Sequence, residues 1–246
     1  MRPFLLFLLL ACAGAARAQV DSFDTRRGGL NIAALRDGKA SFAIYWEDSL
    51  GRRLGSADIW DRSIALADSG GQRRYRFSWQ VWRKDTLVAD VRSTGTLPAL
   101  QPLRHEGDWR GRGAFAYAFA DTVVTVPEGY RRNARDSAFR VVLDPPGFAF
   151  PMDLELFPLL PFRKEGQRFA MAFYEPGSPK SAYYPLTVAG TEELQVPGGG
   201  SVRCWLLRID YAPGSYATFW ISDKGREVLK MREYFRGRYR VKLRLY

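Results

Sequence analysis

Hydrophobic and polar residues alternate with a period of two along much of the chain. In one segment Tyr75, Phe77, Trp79 and Val81 are separated by polar residues. This spacing is typical of a strand that buries one face. Further strands are predicted at residues 42–46, 86–94, 115–119, 139–143, 169–173, 182–189, 203–211, 217–221, 227–235 and 238–246. Glycine- and proline-rich turn sequences between them, and a tight hairpin at Lys84-Asp85, predict an antiparallel arrangement.

Helical patterns are scarce. Residues 153–157 could form a short helix with an acidic first turn, and residues 31–37 a single turn. Residues 147–161 are apolar and interrupted by prolines, and two interpretations stay open: a segment that covers the core, or a mobile lid over a cavity. The predicted fold is all-β and mainly antiparallel, a curved sheet or half-open barrel with one or two short helices.

The first 18 residues have the pattern of a secretory signal peptide. Arg2 precedes an apolar run over residues 4–10, and Ala16-Arg17-Ala18 is a small-x-small cleavage site. We therefore predict a signal peptide at residues 1–18 and a single β domain at residues 19–246. The predicted location is the periplasm or the outer-membrane periphery of a Gram-negative bacterium. In a less favoured alternative, Cys12 is lipidated.

Composition excludes several classes of site. The chain of 246 residues has two cysteines and one histidine, which excludes a disulfide-rich scaffold and a multi-histidine metal centre. No metal and no cofactor are predicted. No apolar run after residue 18 is long enough to span a bilayer. The chain is basic, with 37 Lys and Arg against 26 Asp and Glu, which raises the question of an anionic partner.

The last predicted strand carries much of this charge. Arg238, Arg240, Lys242 and Arg244 occupy alternate positions and therefore share one face. Either this face is solvated and blunts edge-to-edge pairing, or it binds an anionic partner such as a phospholipid headgroup or lipopolysaccharide. Nucleic acid is not expected, because the chain has an export signal and no nucleic-acid-binding motif.

Catalytic motifs are mostly missing from the sequence. There is no nucleophile elbow, no P-loop and no zinc signature. His105 is interpreted as a polar residue near a strand end, and Cys204 as a small buried hydrophobe. Hydrolysis would depend on paired carboxylates, for which the candidates are Glu47 with Asp48, Asp153 with Glu155, and Glu192 with Glu193. We predict that the protein is not an enzyme.

Four segments together resemble a family of secreted bacterial domains of unknown function from Gram-negative envelopes. They are residues 90–103, 159–166, 186–200 and 219–230, which match the family's patterns of turn glycines, prolines and strand residues. The resemblance implies a curved antiparallel sheet similar to the half-barrels of LolA-like lipoprotein and lipid carriers. It implies no catalytic residues.

These observations favour a non-enzymatic binding or carrier module for a lipid, an acyl chain or a lipoprotein. A filled core without a cavity, an assembly protein that pairs through a sheet edge, and a hydrolase with unmarked carboxylates are the alternatives. If a ligand groove exists, its candidate lining residues are Phe42, Trp46, Phe77, Trp79, Phe115, Phe119, Phe169, Phe173, Trp205 and Phe219.

Overall fold

The computed structural model of the protein describes residues 20–196 and 199–245. Within them, sixteen strands belong to one sheet. The strands are β1 (Val20–Phe23), β2 (Gly38–Glu47), β3 (Arg53–Ser69), β4 (Gln72–Arg83), β5 (Thr86–Thr96), β6 (Gln101–Trp109), β7 (Gly113–Ala120), β8 (Val123–Thr125), β9 (Arg140–Val142), β10 (Phe148–Ala149), β11 (Arg168–Tyr174), β12 (Ala182–Val196), β13 (Gly200–Ala212), β14 (Ser215–Ser222), β15 (Val228–Phe235) and β16 (Arg238–Arg244). The two helices are α1 (Ala134–Ala138) and α2 (Asp153–Leu156), and 3₁₀ turns span Ile32–Ala34, Glu128–Tyr130, Phe150–Met152 and Phe157–Leu159.

The sheet is open and strongly curved. Its strand order is β1-β11-β12-β13-β14-β15-β16-β2-β3-β4-β5-β6-β7-β8-β9, with β10 also paired to β11. The pairs of β1 and β10 with β11 are parallel, and the others are antiparallel. Phe119 in β7 touches Tyr174 in β11, with ring centroids 5.9 Å apart, although these strands lie near opposite ends of the order. The predicted fold class, a curved and mainly antiparallel sheet with short helices, is confirmed.

The short elements differ in detail from the sequence pattern. The hairpin predicted at Lys84-Asp85 joins β4 and β5. The turn predicted over residues 31–37 is the 3₁₀ turn Ile32–Ala34, and the helix predicted over residues 153–157 is α2 continued by a 3₁₀ turn. Five strands had no counterpart in the predicted pattern: β1, β3, β6, β8 and β10.

An inner segment, residues 148–162, packs against the concave face of the sheet. Met152, Leu156, Phe157 and Leu159 are almost completely buried. The ring of Phe157 meets those of Phe173 and Phe219 edge-on, with centroids 5.8 and 4.8 Å apart. The segment therefore covers the core, as the first of its two interpretations predicted.

Gly147 explains how the inner segment can enter so close to the sheet. A Cβ at this position would lie 2.8 Å from the carbonyl carbon of Phe173 and 2.9 Å from the nitrogen of Tyr174. Real Cβ atoms do not approach backbone this closely, so the chain crosses β11 at a residue without a side chain.

The predicted signal peptide at residues 1–18, with Cys12, lies outside the described residues. Its cleavage, and the division into a signal peptide and one β domain, stay predictions. Across the described ranges, no helix is long and apolar enough to cross a bilayer.

Candidate functional site

The basic face of β16 points into the curved sheet, which contradicts one of its two interpretations, the solvated outer face. Lys242 is buried, with 3% of its surface exposed. The reason lies in the pairing of β16 with β2, where Lys242 is opposite Ile44 and Arg244 opposite Phe42. Ile44 and Phe42 belong to the main core. Residues opposite each other in neighbouring strands share a face, so Lys242 and Arg244 also face inward.

Three of the four basic residues are paired within the chain. Their partners lie within 3.2 Å: Glu233 for Arg240, Asp153 for Lys242 and Glu227 for Arg244. Arg238 is exposed and makes no ion pair with any residue that the structure describes. Of the predicted anionic-partner residues, Arg238 alone therefore keeps an unneutralised charge at the surface.

Lys242 belongs to a buried cluster of four charges, the ionic floor, formed by Arg62, Asp153, Glu155 and Lys242. The Arg62 guanidinium donates from Nε and Nη2 to the two carboxylate oxygens of Glu155, at 2.9 and 2.6 Å. Arg62 Nη2 lies 3.7 Å from Asp153 Oδ1, and Lys242 Nζ lies 3.2 Å from Asp153 Oδ2. The floor thus ties β3 and β16 to helix α2 of the inner segment.

The Arg62 guanidinium makes two further contacts. Its Nη2 donates to the carbonyl oxygen of Pro151 at 2.7 Å. Its Cζ atom lies over the ring of Phe77, 4.7 Å from the ring centroid. A buried guanidinium is tolerated when its donors are satisfied in this way.

Above the ionic floor lies a cleft of about 320 Å³. Its walls are aromatic: the rings of Trp60 and Trp79 are 5.0 Å apart, and Lys242 Nζ lies 5.0 Å from the Trp60 ring centroid. The Trp79 indole Nε1–H is buried and has no hydrogen-bond acceptor among the described residues. The lining residues are Trp60, Arg62, Trp79, Phe150, Pro151, Asp153, Glu175, Tyr211, Ser215, Glu233, Phe235, Arg240 and Lys242.

The pKa values of two side chains that line the cleft, Lys242 and Glu175, are shifted. Burial lowers the pKa of Lys242 to about 8, although the Asp153 carboxylate acts in the opposite direction. Desolvation by surrounding protein atoms, assisted by the charge of Asp153, raises the pKa of Glu175 at the rim. The carboxyl group of Glu175 has no hydrogen bond or ion pair in the part of the chain that the structure describes, although its backbone carbonyl accepts from Ser178 N–H. The cleft therefore offers one uncommitted carboxyl and one uncommitted indole N–H to a bound molecule.

Nine of the ten aromatic residues predicted to line a groove are split among three apolar clusters, and Trp46 belongs to none of them. Phe42, Phe77, Phe169, Phe173 and Phe219 are buried in the main core, and Trp79 and Trp205 pack against it. Phe119 belongs to a second cluster with Tyr174, and Phe115 packs against a third. Trp46 is 37% exposed. Among the ten, Trp79 lines the cleft, and ligand binding by any of them stays a prediction.

The cleft also contains residues that the sequence patterns did not single out. Trp60 and Arg62 occupy alternate positions in β3, and Tyr211 comes from β13. The available signal was the alternation of Trp60, Arg62 and Ile64, which places an arginine on an otherwise apolar face.

His105 lies in the middle of β6, not near a strand end as predicted. Its Nδ1 is 2.7 Å from the hydroxyl oxygen of Ser93, the residue opposite it in β5. Both side chains are almost fully buried. Burial lowers the pKa of His105 to about 4, so the imidazole is neutral at physiological pH.

This burial makes His105 a source of acid sensitivity. The unfolded chain protonates histidine near pH 6.5, whereas the folded protein does so near pH 4, so the unfolded state binds more protons between these values. The contribution of neutral His105 is complete above about pH 6.5 and is lost as the pH falls through about 4, which lowers the free energy of unfolding by about 3 kcal/mol. Urea unfolding at pH 7 and pH 4 should show this loss in the wild type and a smaller one in His105→Gln.

Because the chain has one histidine, its imidazole proton resonance can be followed in a protein without a histidine tag. A resonance that titrates near pH 6.5 would contradict the burial of His105.

The other candidate catalytic groups are engaged or separated. Asp153 and Glu155 bind the bases of the ionic floor, while Glu47 pairs with Arg232 and Asp48 with Arg52. Glu192 and Glu193 are both exposed and occupy successive positions of β12. Cys204 is fully buried, as predicted, and burial raises the pKa of its thiol to about 11. Among the described residues, no group of three or more His, Cys, Asp or Glu side chains could hold a metal ion.

Comparison with known proteins identifies one family. The model of a family described as "Protein of unknown function (DUF3108)" matches residues 41–244, from β2 to β16. Among solved structures, a beta-barrel-like protein of domain of unknown function DUF1849 from Brucella abortus is similar, with a TM-score of 0.45 and 9% identity. The alignment covers 86% of this chain and 96% of that chain. The curated proteins compared with the chain give no match.

Proposed function

The chain belongs to the DUF3108 family of proteins of unknown function, and we propose that it is a non-enzymatic binding or carrier module of the cell envelope. Its ligand is an amphipathic molecule: a lipid, an acyl chain or the acylated part of a lipoprotein. The predicted signal peptide supports a periplasmic location or one at the outer-membrane periphery. The observation that carries the proposal is the cleft above the ionic floor.

The size and walls of the cleft suit such a ligand. At about 320 Å³, it lies at the lower end of the range in which proteins bind small molecules. Trp60, Trp79 and Phe150 supply apolar and aromatic surface against which a hydrocarbon chain can pack. The main core is filled by the inner segment, so the cleft, and not a tunnel through the sheet, is the site that we propose.

The charges in the cleft argue for a ligand with a polar end. The lining contains three bases, Arg62, Arg240 and Lys242, and three carboxyl groups. Because the bases already have carboxylate partners, a bound headgroup would share existing ion pairs. The free indole N–H of Trp79 adds a donor for a headgroup or ester oxygen.

The absence of enzymatic activity is part of the proposal. Ser93 and His105 are hydrogen-bonded but buried, so a substrate would have no access to the hydroxyl in this conformation. Asp153 and Glu155 are engaged with bases, which leaves them poor candidates for a general acid and base pair.

Native mass spectrometry of the exported protein, gently purified from a Gram-negative host, tests the binding proposal. We expect a stoichiometric adduct of lipid-like mass that is lost on extraction with organic solvent. Ser215→Trp places a large ring in the half-buried cleft lining and should abolish the adduct. The matched control, Ser201→Trp, changes an exposed serine at the far end of β13 and should retain it.

A clean mass of the unliganded wild-type protein, with no uptake of added fatty acids or phospholipids, would rule out the carrier function. The assembly function through a sheet edge would then take its place. An adduct of equal occupancy in Ser215→Trp would place the ligand outside the cleft.

A further inference from the structure

Six hairpin turns lie at one end of the curved sheet, and the five that fall between β13 and β7 in the strand order form the surface that we call the hairpin end. These five are the turns at residues 48–52, 84–85, 110–112, 213–214 and 236–237, which follow β2, β4, β6, β13 and β15. In an antiparallel sheet alternate turns lie at the same end. Pairing of β16 with β2 and of β3 with β4 brings the turns of successive hairpins side by side.

The hairpin end exposes large apolar side chains. Leu50, at the tip of its turn, is 75% exposed, and four others are between 37% and 40% exposed. These four are Trp46, Leu54, Leu87 and Phe235. A hollow of about 410 Å³ lies between the first and last of these hairpins and is lined by Trp46, Leu54, Phe235, Arg236 and Arg238. Several exposed apolar residues on neighbouring turns form a surface that indicates binding, not single solvated side chains.

The same end is strongly basic. Within the five turns and the residues next to them, six exposed bases make no ion pair with any described residue: Arg53, Lys84, Arg110, Arg112, Arg236 and Arg238. Asp85 is the one carboxylate of these five turns without an ion-pair partner among the described residues, and Glu175, in the neighbouring turn between β11 and β12, is a second at this end of the sheet. Glu47 and Asp48 are neutralised by Arg232 and Arg52.

Apolar tips surrounded by unpaired bases match the chemistry of an anionic bilayer surface. Leucine and phenylalanine side chains can insert among the acyl chains, while tryptophan favours the headgroup region. Arginine and lysine next to them attract anionic headgroups. A soluble anionic polymer would use the charges but would gain nothing from Leu50, the most exposed hydrophobic residue of the end.

We propose that the hairpin end docks on the surface of a bilayer that contains anionic phospholipids. Ser215 and Phe235 line the cleft and flank two of these turns, so docking would bring the mouth of the cleft to the membrane. A lipid ligand could then pass from the bilayer directly into the cleft, which is the site of the proposed function. The hairpin end and the ionic floor are made of different residues, so each can be tested alone.

Co-sedimentation of the full mature chain with vesicles tests the proposal. One set of vesicles contains phosphatidylglycerol mixed with phosphatidylcholine, and the other contains phosphatidylcholine alone. We expect binding to the anionic vesicles that weakens as salt is raised. Arg236→Glu with Arg238→Glu, and separately Leu50→Glu, should each weaken this binding about tenfold or more.

Matched control variants carry the same changes at other places. Arg73→Glu with Arg74→Glu reverses two exposed bases beside the turn between β3 and β4, at the opposite end of the sheet. Val142→Glu introduces a carboxylate at a 58% exposed valine in β9. Both controls should bind anionic vesicles within about twofold of the wild type, since they leave the hairpin end unchanged.

Three results would overturn the proposal. They are equal binding to both kinds of vesicle, an equal loss in the control variants, and a loss in the arginine variant with none in Leu50→Glu. The last result would indicate a soluble anionic partner. Failure of the cleft proposal is recognised separately, because the purified arginine variant should still take up a fatty acid added in solution, seen as an adduct in native mass spectrometry, even when it no longer binds vesicles.

Discussion

Replacement of Arg62 by methionine is expected to lower the free energy of unfolding by about 3–5 kcal/mol. Methionine keeps much of the packing against Phe77 but removes the charge. Glu155 would then lose both hydrogen bonds from the guanidinium, and Asp153 would lose one of its two basic neighbours. Because these carboxylates are largely buried, water cannot replace the lost partner. The midpoint and slope of urea unfolding at pH 7 measure the effect.

The exposed ion pair between Arg83 and Asp58 provides the control. Its geometry is also bidentate, at 3.0 and 2.9 Å, but the Arg83 side chain is 63% exposed. Arg83→Met should therefore cost no more than about 1 kcal/mol. The double variant Arg62→Met with Glu155→Met should recover a large part of the loss, because it removes the unpaired carboxylate. A loss in Arg62→Met as small as that in Arg83→Met would mean that the ionic floor is hydrated.

The sequence predicted the sheet well where one face is apolar. Strand β4 is an example, since Tyr75, Phe77 and Val81 are all buried and the residues at the alternate positions between 75 and 81, Arg76, Ser78 and Gln80, are polar. Such alternation reports a buried face directly. The absence of long helical patterns was equally informative, and together these features gave the fold class and most of the hairpins.

The sequence failed where charged side chains occupy the inner face. In β3, Arg62 interrupts the alternation, and in β16 the basic residues have the period of a solvated face. Alternation shows which residues share a face but not which face is inside. The deciding partners are distant in sequence: Arg62 and Lys242 are 93 and 89 positions from Glu155 and Asp153. No local pattern contains that information, so the cleft could not be predicted.

The inner segment was ambiguous for a related reason. An apolar, proline-interrupted stretch is compatible with a core element or with a lid, since both cover hydrophobic surface. The structure distinguishes them through Phe157, which is fully buried between Phe173 of β11 and Phe219 of β14. The side chain thus joins the inner segment to two strands of the sheet.

Phe157→Ala is therefore expected to destabilise the protein by about 3–5 kcal/mol. The loss combines the transfer free energy of the ring with the cost of the cavity left between the two remaining phenylalanine rings. Phe235→Ala, which truncates a 40% exposed ring, should change stability by no more than about 0.5 kcal/mol. Thermal unfolding with and without benzene adds a direct readout of the cavity, because benzene should raise the melting temperature of Phe157→Ala but not of the wild type. If Phe157→Ala proved as stable as Phe235→Ala, the inner segment would be a lid that leaves the core, and a lipid-sized space would open beneath it.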